Sequence, residues 1–182
     1  MSAPWLYDAV VLRHFGTTGH LGVLAARCAY TDPPRLTQEV YDEIRRAAGI
    51  SQPGCHDILA ATWLGDPLVP EIVDLRGIYA LQVGLNDDRE PPTAHGGEAE
   101  GIYFASKLDG HFITDDNAAY DFAARRLGAG RAHDTVDLLR EAVAYGDMDG
   151  GEALNIANAI RNSGRYLRRV HPTSMIRNYF ER

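Results

Sequence analysis

One stretch of the chain, residues 96–117, constrains the fold more than any other. It begins with the acidic segment Gly-Gly-Glu-Ala-Glu-Gly and continues as a predicted helix with one apolar side, which Asp109-Gly110 ends. His111-Phe112-Ile113 is the core of a short predicted strand, and Thr-Asp-Asp follows at 114–116. In an open α/β sheet, sites form outside the carboxyl ends of the strands. The stretch therefore predicts an α/β fold with carboxylates at its functional edge.

The rest of the chain alternates short apolar segments with helical ones, which is typical of a parallel sheet. Residues 5–12 form a nearly continuous apolar run, which predicts a strand buried on both faces. Further strands are predicted near residues 35 and 130, and helices over 39–48, 71–83, 118–127, 135–144 (with Thr135 as the cap) and 149–162.

Asp8 interrupts the first apolar run. A carboxylate inside a buried strand is costly unless it is paired or binds a metal. Asp8 is therefore the first candidate functional residue. The alternative is an acid at the strand end that bonds a neighbouring backbone group or an arginine.

Length and composition favour a single domain with a sizeable core, since the chain has 182 residues, of which 45% are apolar. No apolar run approaches the ~18 residues of a membrane span. The N-terminal residues also lack the features of a signal peptide. We therefore expect a cytoplasmic protein without membrane association, in which Cys28 and Cys55 are reduced thiols.

The charge is unevenly distributed along the chain. The net charge is −7, but residues 161–182 hold six arginines against Glu181, which gives +5 there and −12 over the other 160 residues. This basic segment predicts a contact surface for RNA or a partner chain, with Arg165, Arg168 and Arg169 as candidate phosphate contacts. The alternative is a solvated, salt-bridged face on which Arg161, Arg165 and Arg168 pair with the protein's own excess acids.

Four groups of acids fall at predicted strand ends or helix starts: Asp8; Glu43; Glu98 with Glu100; and Asp115 with Asp116. Carboxylate oxygens suit Mg²⁺ or Mn²⁺, and such ions hold a phosphodiester and activate water. Each group also has a structural alternative, because these acids suit helix caps and first turns. The histidines show no zinc-ligand spacing, and there is no nucleophile elbow.

The order and spacing of these acids resemble the PIN domain, the small metal-dependent ribonuclease fold of VapC-type toxins. The resemblance runs from Leu6 to about Arg165. It rests on Asp8, Val40-Tyr-Asp-Glu43-Ile, the GEAE-type segment His95-Gly-Gly-Glu-Ala-Glu-Gly-Ile-Tyr-Phe-Ala105, Phe112-Ile-Thr-Asp-Asp116, Asp134-Thr-Val-Asp-Leu-Leu139 and Gly164-Arg165. The chain departs from the family at Val10, where a small polar residue is usual.

The resemblance implies a PIN-like three-layer α/β/α fold, with a short central parallel sheet flanked by helices. This domain would span residues 1–165, followed by a basic C-terminal tail at 166–182. The implied function is a Mg²⁺- or Mn²⁺-dependent endoribonuclease that cleaves single-stranded RNA. As for VapC-type toxins, a homodimer and a cognate antitoxin as partner are implied.

The resemblance also implies roles for individual residues. The catalytic residues would be Asp8, Glu43, Glu98 and Asp116, with Asp8, Glu98 and Asp116 as metal ligands. The candidates for the outer part of the metal site are Thr114, Asp115 and Glu100. A competing interpretation is a weak or inactive PIN-like domain that binds RNA or protein. Val10 and the acidic surface favour that interpretation, whereas the four retained carboxylates favour the nuclease.

Overall fold

The computed structural model describes residues 3–29, 34–86, 91, 93–169 and 180, without the side chain of residue 129. The strands are β1 (Trp5–Tyr7), β2 (His111–Ile113) and β3 (Ala132–His133). The helices of four residues or more are α1 (Ala9–Thr17), α2 (Leu21–Ala26), α3 (Gln38–Gly49), α4 (Cys55–Leu59), α5 (Ile72–Leu85), α6 (Gly96–Lys107), α7 (Asn117–Leu127), α8 (Thr135–Tyr145) and α9 (Gly150–Asn162).

The strands form one parallel sheet in the order β1-β2-β3, which confirms the predicted α/β class. Paired residues of parallel strands point to the same face, and successive residues point to opposite faces. Leu6 and Phe112 therefore lie on one face, where they pack with buried residues of α5, α6 and α7. Tyr7 and Ile113 lie on the other face, with α1, α3, α8 and α9. Helices thus cover both faces of the sheet.

The prediction of a single strand over residues 5–12 is wrong. The strand ends at Tyr7, and α1 begins at Ala9. Val11, Leu12 and Phe15 are fully buried in the helix, because their spacing of one, three and four residues also fits one helix face. A continuous apolar run cannot separate these two patterns by periodicity alone. The correction moves Asp8 to the junction of strand and helix.

The strand predicted near residue 35 is reduced to an isolated parallel bridge between Leu6 and Arg35. The Tyr7 N–H donates to the Arg35 carbonyl, and the Arg35 N–H donates to the Trp5 carbonyl. This segment therefore lies beside β1 without extending as a strand. It leads into α3 at Gln38.

The remaining helix predictions agree with the structure to within about two residues at each end, which is the usual uncertainty of helix boundaries. The cap of α8 is an exception. Asp134, not Thr135, is the N-cap, and its side chain accepts the Asp137 N–H at 2.9 Å. Thr135 is instead the first helical residue, and its side chain is free to contact the core.

The basic C-terminal segment is described only through Arg169 and at Phe180. Leu167 and Phe180 are both buried in the core. The described part of this segment therefore packs against the domain, while Arg177 and Arg182 lie outside the described residues. No helix in the described ranges has the length and apolarity to cross a membrane.

Candidate active site

Asp8 lies at the carboxyl end of β1, where it is the N-cap of α1. Its backbone N–H donates to the Ile113 carbonyl at 3.0 Å, which fixes it beside the end of β2. Its buried carboxylate accepts the Thr114 hydroxyl at 2.6 Å, and its side chain makes no capping hydrogen bond to α1.

Asp116 lies just beyond β2 and caps α7, since its Oδ1 accepts the Ala119 N–H at 2.7 Å. Its own N–H donates to the Thr114 hydroxyl oxygen at 3.1 Å. The buried Thr114 thus connects Asp8 with Asp116. Asp116 is exposed, so its second carboxylate oxygen remains accessible from solvent.

Glu98 lies in the first turn of α6, where His95 precedes the helix in a left-handed conformation with φ 60°. The His95 Nδ1 and a Glu98 carboxylate oxygen are 3.4 Å apart. Burial is the largest cause that raises the pKa of Asp8 well above its ordinary value, and the negative charge of Glu98 is the next. The negative charge of Glu98 on α6 therefore opposes ionisation of Asp8.

Glu43 approaches the same region from α3. Burial, and then the charge of Glu98, raise the pKa of Glu43, whereas the Arg13 guanidinium lowers it. Arg13 lies 3.5 Å from the Glu43 carboxylate and also donates to the side chain of Gln52. Glu43 also raises the pKa of Asp8. These three carboxylates consequently share one electrostatic environment.

Asp8 itself lacks a positive partner. Among the described residues, no arginine, lysine or histidine pairs with its carboxylate, which accepts the Thr114 hydroxyl. Burying an ionised carboxylate without a counter-charge is unfavourable. The hard carboxylate oxygens at this position fit a divalent cation.

Within the described ranges, however, no three His, Cys, Asp or Glu side chains already stand as a metal-ligand set. The convergence of all four acids on one ion stays a prediction. Asp8, Glu43 and Glu98 influence one another, and Thr114 links Asp8 to Asp116.

Asp115 and Glu100 have structural contacts of their own. The buried Asp115 carboxylate lies 2.9 Å from Nδ1 of His14 on α1, and it accepts the Thr135 hydroxyl. Glu100 accepts the Glu39 backbone N–H at 3.0 Å, in the first turn of α3. These contacts tie elements of the fold together, and they account for both carboxylates without a metal ion.

Two of the candidate phosphate contacts pair with acids of the chain itself. Arg169 lies 2.7 Å from both Asp134 and Asp137, and Arg168 lies 3.2 Å from Asp134. The Arg168 guanidinium also stacks over the ring of Tyr120, 3.5 Å from its centroid. The salt-bridged alternative therefore describes these two side chains in the structure.

Arg165 differs from them, and it directs attention to Arg13, which the sequence analysis missed. Arg165 follows Gly164, which ends the turn after α9 with φ +80°. Burial lowers its pKa, and the neighbouring positive charge of Arg13 lowers it further. The two guanidinium groups thus lie near each other, and Arg13 is the one that contacts Glu43. Arg13 lies on α1, and its place on this helix is the signal that could have identified it. The interpretation of residues 5–12 as a strand concealed that signal.

Comparisons with known proteins add no assignment to this geometry. Neither the scan against protein-family models nor the searches of curated proteins and solved structures found a match.

Proposed function

We propose that this protein is a PIN-like, metal-dependent endoribonuclease that cleaves single-stranded RNA. Asp8, Glu98 and Asp116 would hold Mg²⁺ or Mn²⁺, with Glu43 contributing directly or through water. The supporting observation is the buried Asp8 carboxylate, which lacks a positive partner among the described residues and experiences the like charges of Glu98 and Glu43. A bound divalent ion would compensate those charges, activate water and neutralise the leaving oxygen.

The chain's own residues would orient this site. The Thr114 hydroxyl donates to the Asp8 carboxylate and accepts the backbone N–H of Asp116. These two bonds fix the spacing between the end of β1 and the end of β2. His95 orients Glu98, and Arg13 orients Glu43. The exposed side of Asp116 provides the entry from solvent. Precise placement of such groups is what a catalytic site requires of its scaffold.

Substrate binding needs positive charge next to these acids, because a carboxylate cluster repels phosphate. Arg13 contacts Glu43, and Arg165 lies near Arg13, so this pair would supply the positive charge that an RNA phosphate needs beside the acids. Arg is suited to phosphate contact through its planar, multiply donating side chain. We therefore assign RNA binding to this pair rather than to Arg168 and Arg169, which are engaged by Asp134 and Asp137.

Cleavage of labelled single-stranded RNA in Mn²⁺ or Mg²⁺ tests the proposal. We expect activity that EDTA abolishes and that Asp8→Asn and Asp116→Asn each abolish, because both changes remove charge while keeping the shape of the side chain. Asp121→Asn is the matched control, since Asp121 is exposed on α7. Wild-type cleavage rates in a folded Asp8→Asn protein would contradict the assignment.

RNA binding in EDTA separates binding from cleavage. We expect Arg165→Ala to weaken binding and to reduce the slope of log affinity against log salt by about 0.7, the value for one lost phosphate contact on single-stranded nucleic acid. Arg140→Ala, an exposed arginine of α8, is the control. Wild-type RNA binding without any cleavage, over varied sequences and both metals, would support the alternative of a binding module.

A further inference from the structure

The residues that follow α9 lie along the border of the candidate metal site. We call residues 165–168 the rim segment. Leu167 in this segment is buried in the core, which fixes the middle of the segment to the domain. On either side of Leu167, Tyr166 is exposed and Arg168 is partly exposed. The segment thus presents an aromatic and a basic side chain at the surface while its centre stays anchored.

The rim segment extends from the neighbourhood of Glu43 to that of Asp116. At its first residue, Arg165 lies near the α1 arginine that contacts Glu43. At its last residue, the backbone N–H of Arg168 donates to Asp115 at 3.4 Å. Asp115 directly precedes Asp116 in the sequence. Both ends of the segment are therefore tied to residues that contact or adjoin the candidate metal site.

Tyr166 contacts the residue that follows Asp116. Its hydroxyl oxygen accepts the side-chain N–H of Asn117 at 3.1 Å, and the hydroxyl donates to the Arg168 carbonyl at 3.2 Å. Asn117 is the first residue of α7, directly after Asp116. Although its hydroxyl is engaged in this way, Tyr166 is 41% exposed. The apolar ring is consequently the part of this side chain that it offers to a ligand.

The contacts of Arg168 hold the rim segment in one position. Its guanidinium lies over the ring of Tyr120, 3.5 Å from the centroid, and 3.2 Å from the buried carboxylate of Asp134. Together with the burial of Leu167, these contacts set the position of Tyr166 before any ligand binds. A preorganised aromatic side chain binds at a low cost in conformational entropy.

A fixed, partly exposed aromatic ring next to positive charge is the arrangement with which proteins bind single-stranded nucleic acid. The ring stacks on the face of a base, and a neighbouring arginine contacts phosphate. Arg165 directly precedes Tyr166 and supplies that charge. In a duplex both faces of a base are covered by its neighbours, so a stacking residue at the surface favours unpaired bases.

We propose that Tyr166 is the base-stacking residue of the RNA site, and that its ring stacks on an unpaired nucleobase next to the cleaved phosphodiester. Arg165 and Arg13 would contact the phosphates beside that base. This inference rests on the proposed ribonuclease function and adds the residue that selects single strands. Tyr166 is a specificity residue in this account, because it contacts the substrate without taking part in the chemistry.

Binding of two oligonucleotides in EDTA tests the proposal. One is a short single-stranded RNA, and the other is a chain of the same length and charge built from stable abasic nucleotides. Tyr166→Ala should bind the RNA at least about fivefold more weakly than the wild type, which is the smallest effect typical of one lost stacked base. Its affinity for the abasic chain should be unchanged. Arg165→Ala should instead weaken the binding of both chains, because both carry phosphates.

Two further variants make the test specific. Tyr166→Phe should keep most of the RNA affinity because it keeps the ring, and Tyr79→Ala, which removes an exposed tyrosine of α5, should bind as the wild type does. Double-stranded RNA should bind equally to the wild type and to Tyr166→Ala. Equal losses on RNA and on the abasic chain would reduce Tyr166 to a structural contact and overturn the proposal.

Other results separate this inference from the function on which it rests. Wild-type RNA binding that Tyr166→Ala leaves unchanged, or that Tyr166→Phe loses as fully as Tyr166→Ala, would overturn base stacking and leave the ribonuclease proposal standing. A wild-type protein that binds neither oligonucleotide would overturn both.

Discussion

Asp8→Asn should stabilise the metal-free protein, although it is expected to abolish cleavage. Burial, and then the charges of Glu98 and Glu43, oppose ionisation of Asp8, so its folded-state pKa lies above the unfolded value. The folded state then binds more protons than the unfolded chain, and stability falls as pH rises from about 3.9 through the folded-state pKa. At pH 7.5, far above the unfolded-state pKa, the wild type bears a cost of this origin that an uncharged side chain does not. An asparagine removes the charge while its side-chain oxygen can still accept the Thr114 hydroxyl.

The size of the effect follows from the cost of an uncompensated buried polar group, which is about 1–3 kcal/mol in mutational data. For a chain of this length, 1 kcal/mol corresponds to about 2–4 °C in Tm. We therefore expect Asp8→Asn to raise Tm by roughly 2–12 °C in EDTA at pH 7.5, measured by calorimetry. The gain should shrink as pH is lowered towards 4, because the wild-type carboxyl group then becomes protonated.

Asp116→Asn is the matched control within the same site. Asp116 is exposed and caps α7, and asparagine caps a helix about as well as aspartate. The free energy of unfolding of Asp116→Asn in EDTA should stay within about 0.5 kcal/mol of the wild-type value. An Asp8→Asn protein that melts at or below the wild-type Tm in EDTA would refute the inferred strain among the carboxylates.

Three further changes test the fold itself. Burial lowers the folded-state pKa of His111 and His133, so the unfolded chain binds protons first and these two residues reduce stability as pH falls from 7.5 to 5. The raised pKa values of Asp8, Glu43 and Asp134 act in the opposite sense, so the test is a His111→Gln, His133→Gln variant, whose Tm should gain on the wild-type Tm as pH falls; a constant difference between the two would contradict this. Gly54→Ala should cost about 1–3 kcal/mol in urea unfolding, since φ is +77° and a Cβ would lie 2.1 Å from the backbone of α1. Gly49→Ala, with open space around it, is the control, and equal midpoints would disprove the close approach. Thr135→Val should lower the free energy of unfolding by about 1–3 kcal/mol, because it removes the hydroxyl that donates to the buried Asp115 carboxylate. Thr135→Ser should recover most of that loss.

The sequence predicted the elements whose local signals agree with their packing. The stretch 96–117 formed the expected helix and strand, because Asp109-Gly110 follows the end of α6 and the apolar residues Phe112 and Ile113 are both buried. The parallel sheet also followed from the alternation of elements. The strand prediction for residues 5–12 was wrong because the apolar run continues across the junction of β1 and α1. Only the tertiary fold decides where the strand ends.

Parts of the candidate site depended on contacts that no local pattern encodes. Thr114 reaches Asp8 across a separation of 106 residues, and Arg13 reaches Glu43 across 30. The same limitation applies to Arg169, whose pairing with Asp137 gives it an internal partner. Composition indicated a basic segment, but it could not indicate which of its arginines face the protein's own acids.

The most direct test of the central claim is a crystal structure of the wild type soaked in Mn²⁺, with anomalous scattering used to locate the metal. The account predicts an anomalous peak whose ligands include Asp8, Glu98 and Asp116, and the loss of that peak in Asp8→Asn crystals. Crystals that show no peak at these carboxylates under saturating Mn²⁺, or a peak that Asp8→Asn leaves unchanged, would contradict the account.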